Sequence, residues 1–113
     1  MKYLQLLLLL AFIGISSQAN AIAVWGNMSC SHWKEVRQGG SNGPYADEKL
    51  SQEHWIVGLL SGMAVWSNTD FLNGVQPDTM FSEVDYFCSK NPSSDTAQAA
   101  LKFYESLQAK SRK

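Results

Sequence analysis

HWIVGLLSGMAVW, His54 to Trp66, is the most apolar stretch of the chain outside its N-terminus, and His54 is its only titratable residue. It is too short to span a bilayer, which takes about 20 apolar residues. It is long enough for about three to four turns of buried helix. Gly58 and Gly62 lie four apart and share one helical face, with Ser61 and Ala64 nearby, so another backbone can come close there. Trp55, Leu59, Met63 and Trp66 follow at steps of four and three, a large apolar stripe that reads as core. The stretch predicts the central helix of a small helical domain, starting near Lys49 to Ser51 and ending near Asn68. Asp47, Glu48 and Glu53 lie toward its N-terminal end, where negative charge suits the helix dipole.

Other helical patterns flank it. Upstream, Cys30, Trp33 and Val36 or Arg37 recur at helical spacing over Ser29 to Gln38, with Asn27 or Ser29 as cap and Gly39-Gly40 as stop. Ile22 to Asn27 has little pattern. Gly39 to Asp47, GGSNGPYAD, reads as a loop in which Tyr45 is the one large residue, either a pin to the core or an exposed contact. Downstream, Phe71-Leu72 can plug the core and Asn73-Gly74 marks a turn. Pro77 opens a third helix in which Met80, Phe81, Val84, Phe87 and Cys88 form the buried face. Asp85 falls on the other side and, with Glu83, has the spacing of solvated surface. Asn91 suits a left-handed C-cap and Pro92 forbids continuation. The last helix starts at Ser93 to Asp95 and fades by about Lys110. Asp95 and Gln98 form a capping-box pair, and Ala97, Ala100, Leu101, Tyr104 and Leu107 form the apolar stripe. No stretch alternates convincingly as a strand. The pattern predicts an all-α domain of four helices.

Residues 1–21 have the form of a secretory signal peptide. Lys2 gives the positive start, Leu4 to Ile15 the short apolar core, and Ala19-Asn20-Ala21 the cleavage site, with Ala21-Ile22-Ala23 competing two residues on. Residues 22–113 then form a single small domain, of a size that is marginally stable without help. Its two cysteines, Cys30 and Cys88, meet an oxidising compartment after export, and only one intramolecular pairing exists. A Cys30–Cys88 bridge closes a loop of nearly 60 residues, for which the chain-entropy model gives roughly 4 kcal/mol.

Without Lys2, the chain keeps eight basic against ten acidic residues, a net charge of about −2. That leaves no basic surplus for a nucleic-acid backbone; Lys110, Arg112 and Lys113 read as a solvated tail. His32, His54 and the cysteines are not spaced as a metal motif, so neither metal nor cofactor is expected. A bridged Cys30 is no nucleophile beside His32, and neither a nucleophile elbow nor a Gly-rich phosphate loop occurs. The reading is of a protein that is not an enzyme.

Four features together resemble the small periplasmic acid-stress chaperones of the HdeA/HdeB family. They are the signal peptide, Cys30 with Trp33 three residues on, Trp55-Ile-Val-Gly58, and Tyr86-Phe-Cys88-Ser-Lys-Asn91-Pro92, the most specific of them. The resemblance covers Cys30 to Leu107. It implies a helical fold with one disulfide and a homodimer at neutral pH that loosens in acid and holds unfolding clients on apolar surface. Other parts are similar to exported helical proteins that include type VI secretion immunity proteins.

Two functions follow as expectations. A periplasmic chaperone would bind unfolded client proteins through Trp55, Met63 and Trp66. Its charge would swing to about +10 as ten carboxylates are neutralised and two histidines charge. A partner-specific protein, such as an immunity protein or an inhibitor of an envelope enzyme, would use the Tyr45 loop. Neither needs stable insertion in a membrane once the signal is cleaved.

Overall fold

The computed structural model describes residues 23–111, so the predicted signal segment and the Arg112-Lys113 tail lie outside it. Among the described residues there are four α-helices and no named strand: α1 (Cys30–Gln38), α2 (Ala46–Ser67), α3 (Pro77–Lys90) and α4 (Thr96–Ser111). The all-α class and the helix count are as the periodicity predicts.

In α1, the Ser29 hydroxyl accepts from the His32 amide at 3.3 Å, so Ser29 is the cap. Cys30, Trp33 and Val36 supply one fully buried side chain per turn. Cys30 and Cys88 are joined by a disulfide with their Cα atoms 4.9 Å apart, which fastens α1 to α3. Pro77 stands at the start of α3, where its missing N–H has no partner to lose.

The central helix differs from its prediction in two ways. It begins a turn early, at Ala46, with Tyr45 in the cap position and Asp47 and Glu48 in the first turn. Its core face is also rotated. Ile56 and Leu60 are fully buried, with Glu53 beside them, whereas Trp55, Leu59 and Met63 are half-buried and Trp66 is exposed. Apolar residues occupy nearly every direction of this helix, so periodicity had no polar face to orient it. The left-handed cap also lies elsewhere. Asn68 ends α2 at φ 51°, while Asn91 has φ −132° and closes α3 with its amide and Nδ2, both donating to the Phe87 carbonyl at 2.9 Å.

In α4, the Asp95 carboxylate accepts from the Gln98 amide at 2.9 Å, so half of the capping box is made. The buried residues are Thr96, Ala99, Ala100 and Phe103; Leu101, placed in the stripe by sequence, is exposed. Phe71 is buried edge-on against Tyr104 with ring centroids 4.8 Å apart.

The lead-in, patternless in sequence, seals the start of α4. Asn27 Oδ1 accepts from the Ala97 amide at 2.9 Å and from Thr96 Oγ1 at 3.1 Å. The Met28 amide donates to Thr96 Oγ1 at 3.1 Å, and the Thr96 amide returns a bond to the Met28 carbonyl at 2.9 Å. Thr96 is thereby buried without an unpaired polar atom.

The rotated face of α4 has a measurable consequence. Phe103→Ala should cost about 3–5 kcal/mol through lost burial and a residual cavity, and Leu101→Ala less than about 1 kcal/mol. Urea unfolding of the oxidised protein reads both; equal losses would contradict this packing.

Candidate functional site

Below the disulfide, α1, α2 and α3 are joined by charge. Trp33 Nε1 donates to Asp85 Oδ1 at 2.8 Å, and Arg37 Nε and Nη2 donate to the same carboxylate at 3.0 and 2.9 Å. Arg37 Nη1 reaches Glu53, which Lys49 also meets at 2.7 Å. The guanidinium lies over the Trp33 and Phe81 rings, 5.5 and 5.6 Å from their centroids. Asp85 remains 40% exposed, as its helical position suggested, but it is also engaged by two side chains of α1. It points along α3 toward α1, a direction set by tertiary packing. Its hydrogen bonds, first of the causes, raise the pKa of Arg37 further, so the guanidinium stays charged throughout the accessible pH range.

Nearer the surface, His32 links α1 to the first turn of α2. Its Nε2 lies 2.8 Å from Glu48 and its Nδ1 3.3 Å from Glu35. The Glu48 bond, then the Glu35 bond, raises the imidazole pKa above its ordinary 6.5. Tyr45 packs edge-on against His32 at 5.9 Å and remains 38% exposed. It thus serves both roles left open by the sequence: one edge pins the loop and the rest faces solvent.

An open apolar surface lies on α2, opposite its core face. Val65 is 82% exposed and Trp66 92% exposed. A Cβ built on Gly58 or Gly62 meets nothing within 4 Å among the described residues. No Asp, Glu, Lys or Arg occurs from residue 54 to residue 69. Trp55 flanks this surface, and its Nε1 donates to the Trp25 carbonyl at 2.8 Å. Gly26, at φ +84°, makes that contact possible, because a Cβ there would sit 2.3 Å from Trp55 Nε1. The Trp25 side chain is left 90% exposed.

Of the residues singled out by sequence, Trp55 and Trp66 therefore share one face, Met63 turns toward the core, and Tyr45 stands apart at the start of α2. Trp25 was missed; a tryptophan just beyond the predicted cleavage region was the available signal. No group of three or more potential metal ligands is found among the described residues, and none of their helices is long and apolar enough to cross a membrane. Compared with known proteins, the chain matches no family model, no curated protein and no solved structure.

Two predictions follow from the polar contacts. The folded pKa of His32 is raised, so its stabilisation is full below the unfolded value near 6.5 and is lost as pH rises through the folded value. His32→Gln should lower the urea midpoint at about pH 6, and its gap from the parent should narrow toward about pH 9. Asp85→Asn should cost about 1–3 kcal/mol at neutral pH by leaving Arg37 and Trp33 with a poorer acceptor. That cost should largely vanish at about pH 2, where carboxylates are protonated in the parent as well. A cost independent of pH would assign Asp85 a packing role instead.

Proposed function

We propose that this is an exported, non-enzymatic periplasmic protein that holds unfolded clients on the apolar face of α2, in the manner of the HdeA/HdeB-like chaperones it resembles. One observation carries the reading: α2 has a filled core face and, opposite it, an uncharged face that leaves Val65 and Trp66 in solvent. Contiguous apolar surface of this kind marks protein-binding sites. The sequence supports export, and the Cys30–Cys88 bridge suits an oxidising compartment.

Acid widens this surface. Protonation neutralises Glu53 and Asp85 while Arg37 keeps its charge, so the contact between α1, α2 and α3 loses its attraction. The disulfide still holds α1 to α3, so the tie lost in acid is the ionic one that binds α2 to α1. A second reading, a partner-specific immunity protein or enzyme inhibitor, is favoured by the fact that Val65 and Trp66 are open in the folded domain and need no opening step.

The test uses the oxidised chain from Ile22. Suppression of client aggregation and binding of an apolar-surface dye are followed from neutral pH to about pH 2. Suppression should grow in acid, and Val65→Ser with Trp66→Ser should weaken it severalfold. Glu53→Gln should move the rise in dye binding to higher pH. Failure to protect any client at any pH, with tight binding to one envelope protein, would establish the second reading instead.

A further inference from the structure

Between α3 and α4 lies an open cleft of about 360 Å³. Phe87 of α3 and Ala99 and Phe103 of α4 form its floor. Ala99 and Phe103 lie one turn apart on the same face of α4, and both are buried. Ala99 ends at its Cβ, so the floor drops beside the larger rings. Tyr86 lines the same cleft and is 65% exposed. On the α4 side, the Ser106 hydroxyl turns back to donate to the Phe103 carbonyl at 2.7 Å.

The rim carries the charge. Lys102 is already paired with Glu105 at 3.3 Å. Lys90 is exposed and forms no ion pair among the described residues. Its ammonium lies 5.9 Å from the centroid of the Tyr86 ring. Glu83 is the only carboxylate among the described residues that line the cleft. It stands seven residues before Lys90, about 10 Å along the helix, and leaves that cation unpaired.

We propose that this cleft docks an extended segment of a partner protein, which lays a phenylalanine-sized apolar side chain on the floor and an acidic side chain against Lys90. The site is separate from the uncharged face of α2 and stands whether or not that face holds clients. Its dimensions suit a peptide. An extended chain advances about 3.3 Å per residue, so about three residues span the 10 Å or so from residue 83 to residue 90. The volume is near the low end of the roughly 300–1,000 Å³ of small-molecule pockets, which enclose most of their ligand. A trough open along one side instead fits a side chain whose backbone continues past both ends. The charge selects the neighbour: an acid meets Lys90, whereas a base would meet Lys90 and Lys102 together. Tyrosine, here presented beside the cation, is enriched among the residues that carry binding energy at interfaces.

The test uses the oxidised, isotope-labelled chain from Ile22 at about neutral pH. The probe is a blocked peptide of sequence glycine-aspartate-phenylalanine-serine-glycine. Its titration should shift the amide resonances of Tyr86, Phe87, Lys90 and Phe103 and leave those of Gly58, Gly62 and Trp66 in place. Exchanging the peptide's aspartate for lysine, or its phenylalanine for alanine, should weaken binding at least about tenfold. Lys90→Glu should do the same to the parent peptide, and Lys90→Arg should retain its binding. Ser106→Leu, which spreads a side chain over the floor from an exposed position, should remove binding with unchanged helical circular dichroism. Tyr86→Ala, at another exposed position, should lower affinity severalfold and keeps the test intact if the leucine disturbs the fold. No binding at millimolar peptide, equal binding of the lysine peptide, an unaffected Lys90→Glu, or shifts confined to α2 would overturn the site. Phenylpropanoate binding as tightly as the peptide would make it a pocket for a small acid and overturn the peptide. Resonances of the cleft that move with protein concentration alone would place a second copy there and overturn it too. Client protection by a protein that ignores the peptide refutes this site and keeps the proposed function; peptide binding without protection does the reverse.

Discussion

Helices α1 and α3 are fastened twice, and the two fastenings respond differently to the solution. Cys30 and Cys88 join them covalently at one level. Two turns along, Arg37 and Asp85 join them by charge, with Trp33 donating into the same carboxylate. Glu53 brings α2 into the second link, whereas the first has no bond to α2. Acid acts on the ionic link and leaves the disulfide intact. Asp85 is 40% exposed, so solvent screens its half of the ionic link, while Glu53 is the more enclosed partner. The ionic tie of α2 to α1 is thus the part of this junction that acid addresses, while the covalent tie between α1 and α3 is not.

The same arrangement decides what loosening exposes. The core face of α2 consists of Ile56 and Leu60, with Leu59 and Met63 at its edges. Freed from α1 and α3, this helix would show apolar side chains in every direction over the span from 54 to 66. The disulfide meanwhile prevents full extension of the chain. His32 works in the opposite sense near neutrality. Its contacts to Glu48 and Glu35 strengthen as it gains a proton, so the start of α2 is held more firmly in mild acid, before the carboxylates that pair with it are neutralised.

Much of the fold was legible because three of the four helices carry local signals: Ser29 and Asp95 as caps, Pro77 at an N-terminus, Gly39-Gly40 as a stop. The disulfide followed from there being two cysteines. Orientation was less legible. Phe103 was passed over in favour of Leu101 because both fit a helical stripe, and only the neighbours of α4 distinguish them. Asp85 was taken as surface because hydropathy gives a carboxylate no partner; the partner, Arg37, lies on another helix 48 residues away. The lead-in was unreadable for a different reason. Its role is carried by backbone and amide hydrogen bonds from Asn27 and Met28 to Thr96, which have no periodicity to detect.

The central helix resolves the ambiguity that its sequence posed. Gly58 and Gly62 suggested that another backbone comes close, and none does within the described domain: open space surrounds both. Two glycines in mid-helix cost about 1 kcal/mol each against alanine. Val65 and Trp66 hold apolar area in water on the same side. Within the single chain, both features oppose stability and neither has a compensating contact. They lie on one side of α2, so the open backbone and the exposed apolar area form one continuous uncharged face rather than two separate defects.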